Sequence, residues 1–433
     1  MGEYLTKYGL AASHDPMRAS GMVAGWIRGD WRGLFAELRA EEPVFVTPAF
    51  TLITKFADVR EVLAHEKVFT VRPTRPQLDA ALGSGFMLSR DATPLNWRER
   101  GLMQVMLAPG DVPAVRELVG RAAEACLDTA ASDGTLDVVS GLFRPIALRV
   151  CEEYFGYRGV QPATLAGWVR DIIKDCYANP LDDQGLHAAA VASGAAMMGY
   201  LREELARRRD CPVFDADIDV DDVFSRLIRT ALPEASDIDD ERIAVNAAGL
   251  SLGFVESAPA AMALATRQII QRPDVLAAAR AAAFEADPAE FDPYVWEALR
   301  LETFFRLMPP RLCEQDYLLA AGTPRATVIT AGSIVLPALA SAMYDEDVIY
   351  QPEQFRLNRP SHHHLHFGTG HHHECLGVNL AQVIIPEAVR RLLRRGASAV
   401  PGADIVFDAI FPDSYPLQLA SRSSRDEGPI DRH

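Results

Sequence analysis

Residues 361–377 read SHHHLHFGTGHHHECLG, and this stretch decides how the rest of the chain is read. Seven of the eleven histidines lie here, which first suggests a zinc or nickel site. Against that, no HExxH occurs, and adjacent histidines on a regular element cannot all turn to one ion. What remains is Cys375, preceded by a loop punctuated at Gly368 and Gly370 and followed by Gly377 and a helical run. A cysteine at a helix N-terminus meets the positive end of the dipole, which favours thiolate. Gly377 lets that helix lie close against something flat. Thiolate is also the soft ligand that holds haem iron in oxygen-activating enzymes. A cysteine standing alone is more often a buried core residue, so the flanking sequence has to decide.

Glu297 and Arg300, in WEALR, stand at i and i+3 and share one helical face. PEQFRLNR at 352–359 brings Arg359 up shortly before the glycine loop. The longest helix candidate is 240–270, with Ser236 and Asp237 as N-caps and acidic residues in the first turn. Its middle is unusual, because Gly253, Glu256 and Pro259 fall among Ala, Leu and Val. Pro259 has no N–H for the carbonyl of Val255, which predicts a kink there. Elsewhere the pattern gives two short strands around a turn at 43–54, a helix at 57–65 and an irregular loop over 70–90. Helices then dominate from 97 to 210, and a last helix begins near Gly377. The acidic run at 215–222 fails as a calcium loop, since Val220 replaces the required Gly and Arg226 the final Glu. It reads as a solvated helix entry.

The chain has 433 residues, 49% of them hydrophobic and 24% charged, ordinary values for a folded protein. A formal net charge of −16 argues against a nucleic-acid binder, which needs clustered Lys and Arg. Apolar runs such as 334–343 are about half the ~20 residues that a bilayer requires, so no membrane partner is expected. The N-terminus scatters charges where a signal peptide needs an apolar core, and MGEYLT matches a myristoylation pattern only formally. The cysteines show no CxxC, which suits a reducing, cytoplasmic setting.

With these residues in place, the chain resembles a cytochrome P450, a haem-thiolate monooxygenase of the soluble bacterial kind, over about 43–394. The loop resembles the family's Phe-Gly-x-Gly-x-His-x-Cys-x-Gly, with Phe367, Gly368, His373 and Gly377 in place and Cys375 as the iron ligand. Gly370 and Cys375 are five apart where the family has four, so one extra residue must bulge within 370–373. Glu297, Arg300 and Arg359 match the family's structural triad. Glu256 lies seventeen positions before Pro273, so Glu256 and Ser257 fall where the family carries its acid–alcohol pair, and Gly253 where a groove opens for dioxygen. Phe254 stands where a second small residue is common.

The resemblance implies a single domain over 1–433, mainly α with small β-sheets. In that fold haem b lies between the long central helix and the cysteine-loop helix. Haem propionates in an apolar cleft need cationic or donor partners. Arg100, Arg311 and His364 match the family's partners, with Asn96 standing where it has a histidine. Phe86 and Met87 are expected to roof the substrate pocket, with Leu252, Gly253 and Leu307 beside the haem. The implied reaction inserts one atom of dioxygen into an apolar small molecule, with protons relayed past Ser257 and Glu256. No flavin or iron–sulfur motif occurs, so electrons are expected from a separate ferredoxin and its reductase. RRLLRR at 390–395 and Arg359 are candidates for a basic docking face. The alternatives are a peroxide-driven or hydroperoxide-rearranging haem enzyme, and a non-catalytic haem sensor or metal-binding protein built on the histidines.

Overall fold

The central helix begins at Asp240, where the sequence places it, but on a different cap. Asp237 takes a left-handed backbone (φ +55°), so no helix can start on it. Asp239 is the N-cap instead, its carboxylate accepting from the Arg242 N–H at 2.9 Å. The helix runs Asp240–Phe254, breaks at Val255–Glu256, and resumes as Ser257–Ile270. The missing N–H of Pro259 accounts for the break, since nothing can donate from that position to the Val255 carbonyl. As one stretch, Asp240–Ile270 is long and apolar enough to cross a membrane, but 83% of its most apolar window is buried inside the protein.

This computed structural model describes residues 2–130, 134–179, 182–210, 221–230 and 236–420. Most of the acidic run at 215–222 lies outside them. At its end Asp222, fully buried, caps the helix Val223–Arg229 by accepting from the Ser225 N–H at 2.7 Å. The chain forms two compact units, each built from several stretches of sequence.

The first unit comprises residues 1–76, 88–93 and 300–375. Its frame is a five-stranded sheet ordered Val44–Val46, Thr51–Ile53, Ile334–Pro337, Arg311–Cys313, Phe69–Thr70. Thr51–Ile53 and Ile334–Pro337 pair in parallel, and every other neighbour is antiparallel. One core cluster, with Ile53, Phe56, Phe69, Val335 and Leu365, packs about this sheet. A second gathers Trp31, Leu34, Phe35 and Leu38 of the helix Trp31–Glu41 with Leu52 and Tyr344.

Among the described residues, the second unit comprises those within 77–87, 94–299 and 376–420 and is mostly helical. The helix Val378–Arg394 buries Leu380, Val383, Ile384, Ile385 and Leu392, and packs on the helices Val112–Ala130, Ser257–Ile270 and Pro273–Phe284. The helix Gln184–Asp210 lies on Pro162–Ala178 and Asp240–Phe254. The stretch 70–90 is more ordered than its prolines and glycines predict. It holds the 3-10 turns Arg72–Thr74 and Met87–Ser89 and the helix Arg75–Leu82. Pro73 and Pro76 sit in first turns, where a missing N–H costs nothing.

Candidate functional site

Cys375 ends a loop that closes on itself. Gly368 N–H donates to Leu365 O at 3.1 Å, Glu374 N–H to His371 O at 2.9 Å, and Cys375 N–H to Phe367 O at 2.8 Å. Gly368 and Gly370 have φ of +98° and +80°, which glycine alone reaches cheaply. A Cβ on Gly368 would meet the Glu374 Cα at 3.3 Å. The extra residue is taken up in the turn 371–374. That turn is pinned at His372, which is 3% exposed and donates its N–H to Glu66 Oε2 at 3.2 Å. The Cys375 thiol-bearing residue is half-buried. Gly377 caps the following helix with an ordinary φ of −85°, so what it offers is its missing side chain.

The histidines are paired ring against ring: His362 with His363, His364 with His366 in a stacked pair at 5.6 Å, and His372 with His373. Burial, and then the charges of His362 and Arg359, hold His363 below its ordinary pKa. Among the described residues no three His, Cys, Asp or Glu side chains gather closely enough to hold a metal ion, which removes the zinc or nickel reading.

Arg300 is fully buried. It donates to the carbonyls of Met343 at 2.8 Å, Pro352 at 2.7 Å and Gln354 at 3.3 Å. Arg359 donates to those of Tyr350 at 2.8 Å, Gln351 at 2.9 Å and Gln354 at 3.0 Å. Two arginines thus converge on one turn, 350–354, and share the Gln354 carbonyl. Glu297 is 1% exposed, one helical turn before Arg300 on the helix Asp292–Leu301.

Arg359 therefore braces this turn. The arginines of RRLLRR are held in the same way. Arg390 and Arg394 donate to the carbonyl of Ala283, and Arg391 to Glu387 and Glu124. Arg395 reaches Glu124 and Asp128. These arginines complement the C-terminus of one helix and the carboxylates of another.

The broken helix presents Gly253 to the open. Beyond its chain neighbours and its own helix backbone, no atom lies within 4 Å of where its Cβ would stand, and the residue is exposed on a helix that is otherwise largely buried. The Ser257 hydroxyl donates to the Gly253 carbonyl. Leu252 is 4% exposed and lies roughly 100° round the helix from Gly253. Phe254 packs edge-on against Phe155, with ring centroids 5.4 Å apart. Leu307 packs on the Trp31–Phe35 core cluster of the first unit.

Glu256 has a partner that the sequence did not suggest. It is 4% exposed, and Arg170 of the helix Pro162–Ala178 donates to its Oε2 at 2.8 Å. Arg170 also reaches Asp408 at 3.0 Å, which Lys174 contacts at 2.5 Å. Burial opposes the Arg170 charge, but Glu256, Asp413 and Asp408 more than offset it, and its pKa is raised. No local motif marks Arg170. Only the packing of two distant helices brings it to Glu256.

Arg100, on the helix Pro94–Met106, and Arg311, on its strand, are 4% and 3% exposed. Arg311 donates to Pro309 O at 2.8 Å, and His364 is half-buried. Asn96, fully buried, donates its side-chain N–H to Met87 O, a use absent from the sequence reading. These residues fit a haem by their chemistry. A soft sulfur donor stands at the end of a fixed loop, two buried guanidinium groups suit carboxylates, and a helix lacks side-chain cover at Gly253.

Comparison with known proteins agrees. The family model Cytochrome P450 matches residues 291–402. The cytochrome P450 monooxygenase PikC of Streptomyces venezuelae is 28% identical over 90% of this chain and 89% of its own. The cyclomarin C epoxidase CymV of Salinispora arenicola is 26% identical over 83% and 87%. Among solved structures, CYP109Q5 from Chondromyces apiculatus superposes with a TM-score of 0.76 over 91% of this chain and 97% of its own. At 23% identity it speaks to the fold alone. Together these matches support a bacterial cytochrome P450. It is a monooxygenase of the bacterial type, and that family implies a haem whose iron takes a cysteine thiolate.

Proposed function

We propose that this chain is a cytoplasmic haem b monooxygenase that hydroxylates or epoxidises an apolar small molecule, with Cys375 as the iron ligand. The closed loop that ends at Cys375 carries this reading, because it fixes the sulfur's backbone at both Phe367 and the following helix cap. When bound, the haem supplies dioxygen activation and oxygen transfer to a C–H or C=C bond. Arg100, Arg311 and His364 hold its propionates, while Glu297, Arg300 and Arg359 brace the segments around it. Gly253 leaves space, and Ser257, whose proton is directed to the Gly253 carbonyl, keeps lone pairs that accept from a water. Glu256 passes protons only as far as its pairing with Arg170 allows. Electrons come from a separate ferredoxin and reductase. The substrate is of the class suggested by relatives named as a mycinamicin IV hydroxylase/epoxidase and steroid C26-monooxygenases, large and mostly apolar.

The test is the absorption spectrum of the reduced protein with carbon monoxide. A strongly red-shifted Soret band is expected, lost in Cys375→Ser. A conventional haem–CO band in the unaltered protein would refute thiolate ligation. The tie between Glu256 and Arg170 favours a second reading, in which hydrogen peroxide replaces dioxygen and electrons. Turnover with peroxide and no reductant would support it.

A further inference from the structure

Arg242, Asn246, Gly249 and Gly253 recur at intervals of four, three and four, so they lie along one face of the helix Asp240–Phe254. Three of them grip the segment 84–87. Arg242 Nη1 donates to Ser84 Oγ at 2.8 Å and to Gly85 O at 3.0 Å, while its Nε donates to the fully buried Glu99. Asn246 Nδ2 donates to Arg242 O at 2.9 Å, which turns its Oδ1 outward to accept the Met87 N–H at 3.0 Å. From the helix Pro94–Met106, Asn96 donates to Met87 O. Two side-chain amides thus hold both backbone groups of one residue. Between them the Phe86 ring lies on Gly249, where a Cβ would come within 2.5 Å of the ring. One turn further along the same face is the open Gly253.

We propose that Asn96 and Asn246 are specificity-setting positioning residues. By clamping Met87 they fix Phe86 over Gly249 as a rigid wall of the substrate space that opens at Gly253. The inference rests on the monooxygenase reading for what occupies that space. A wall held by the backbone selects apolar ligands by width, because it neither yields to a broad one nor follows a slender one. A position that matches a haem-contacting histidine in the family is, in this chain, spent on the pocket.

The test uses the haem-loaded full chain. Asn246→Leu removes the acceptor at nearly constant volume, and Asn246→Asp restores one. Gly249→Ala dislodges Phe86 with the clamp intact, and serves if the leucine variant fails to fold. Amide hydrogen exchange is followed across 84–88. Dissociation constants are measured by equilibrium dialysis for dodecanoic acid and progesterone, a slender and a broad apolar probe. Exchange at Met87 is expected to rise about tenfold in Asn246→Leu, the equivalent of one buried hydrogen bond. The ratio of the two dissociation constants should shift about tenfold in Asn246→Leu and Gly249→Ala and return toward the original in Asn246→Asp. Unchanged exchange, or both probes weakened equally with the ratio fixed, overturns the proposal. The CO spectrum separates the two readings. Absence of the red-shifted band in the unaltered protein counts against haem-thiolate chemistry, whereas an intact band with an unmoved ratio counts against the clamp alone.

Discussion

Replacing Arg170 with Met strands the Glu256 carboxylate. The pair is 2.8 Å apart, with side chains 14% and 4% exposed, so water replaces little of what the guanidinium supplies. Coulomb attraction at that distance is about 6 kcal/mol at an effective dielectric of 20. Breaking a buried pair from one side costs about 3–5 kcal/mol. Arg170 keeps some solvent, so the low end applies, roughly 3 kcal/mol at pH 8. For a chain of this size, with an unfolding entropy of about 0.9 kcal/mol per kelvin, that lowers the thermal midpoint by roughly 3 °C. Melting curves of Arg170→Met beside the unaltered protein read this directly. The double variant Arg170→Met, Glu256→Gln should recover most of it, because a neutral amide needs no counter-charge. An unchanged midpoint in Arg170→Met, or additive effects of the two substitutions, would refute the reasoning.

Asp292, at a cavity of about 310 Å³ lined by Trp296, Arg116, Asn379 and Gln382, is pushed up to about 6 by burial against the pull of Arg116. A carboxyl raised by folding costs stability above its unfolded pKa, and that cost grows from about pH 4 to pH 6. Asp292→Asn should therefore gain about 1–2 kcal/mol at pH 7.5 after allowance for its partial exposure, and nothing at pH 4. Urea midpoints across pH check this. Gly368→Ala forces a φ of +98° on a residue with a Cβ, 3.3 Å from the Glu374 Cα. It should cost about 1–3 kcal/mol and reduce haem retention, seen as a lower Soret-to-280 nm absorbance ratio after purification. Arg300→Lys keeps the charge but loses the planar fork that reaches three carbonyls. A fall of about 2–4 kcal/mol is expected from carbonyls left unsatisfied, measured by chemical denaturation.

The sequence by itself determined the class and the elements whose signals are local. Cys375 between punctuating glycines, the Glu297–Arg300 spacing and the break at Pro259 are all covalent facts. A missing N–H or a glycine at positive φ acts wherever the chain goes. It misjudged 70–90, where prolines read as breakers are helix starters, and the N-cap of the central helix, where several acids compete and only φ/ψ decides. The partners of charged and amide side chains were decided by tertiary structure alone. Arg170 meets Glu256 across 86 positions and Asn246 meets Met87 across 159. RRLLRR reads as a basic patch until Glu124, Asp128, Glu387 and the Ala283 carbonyl are packed against it. Long flexible side chains carry no record in sequence of which distant group will satisfy them, because that choice is made by burial, once the helices have docked.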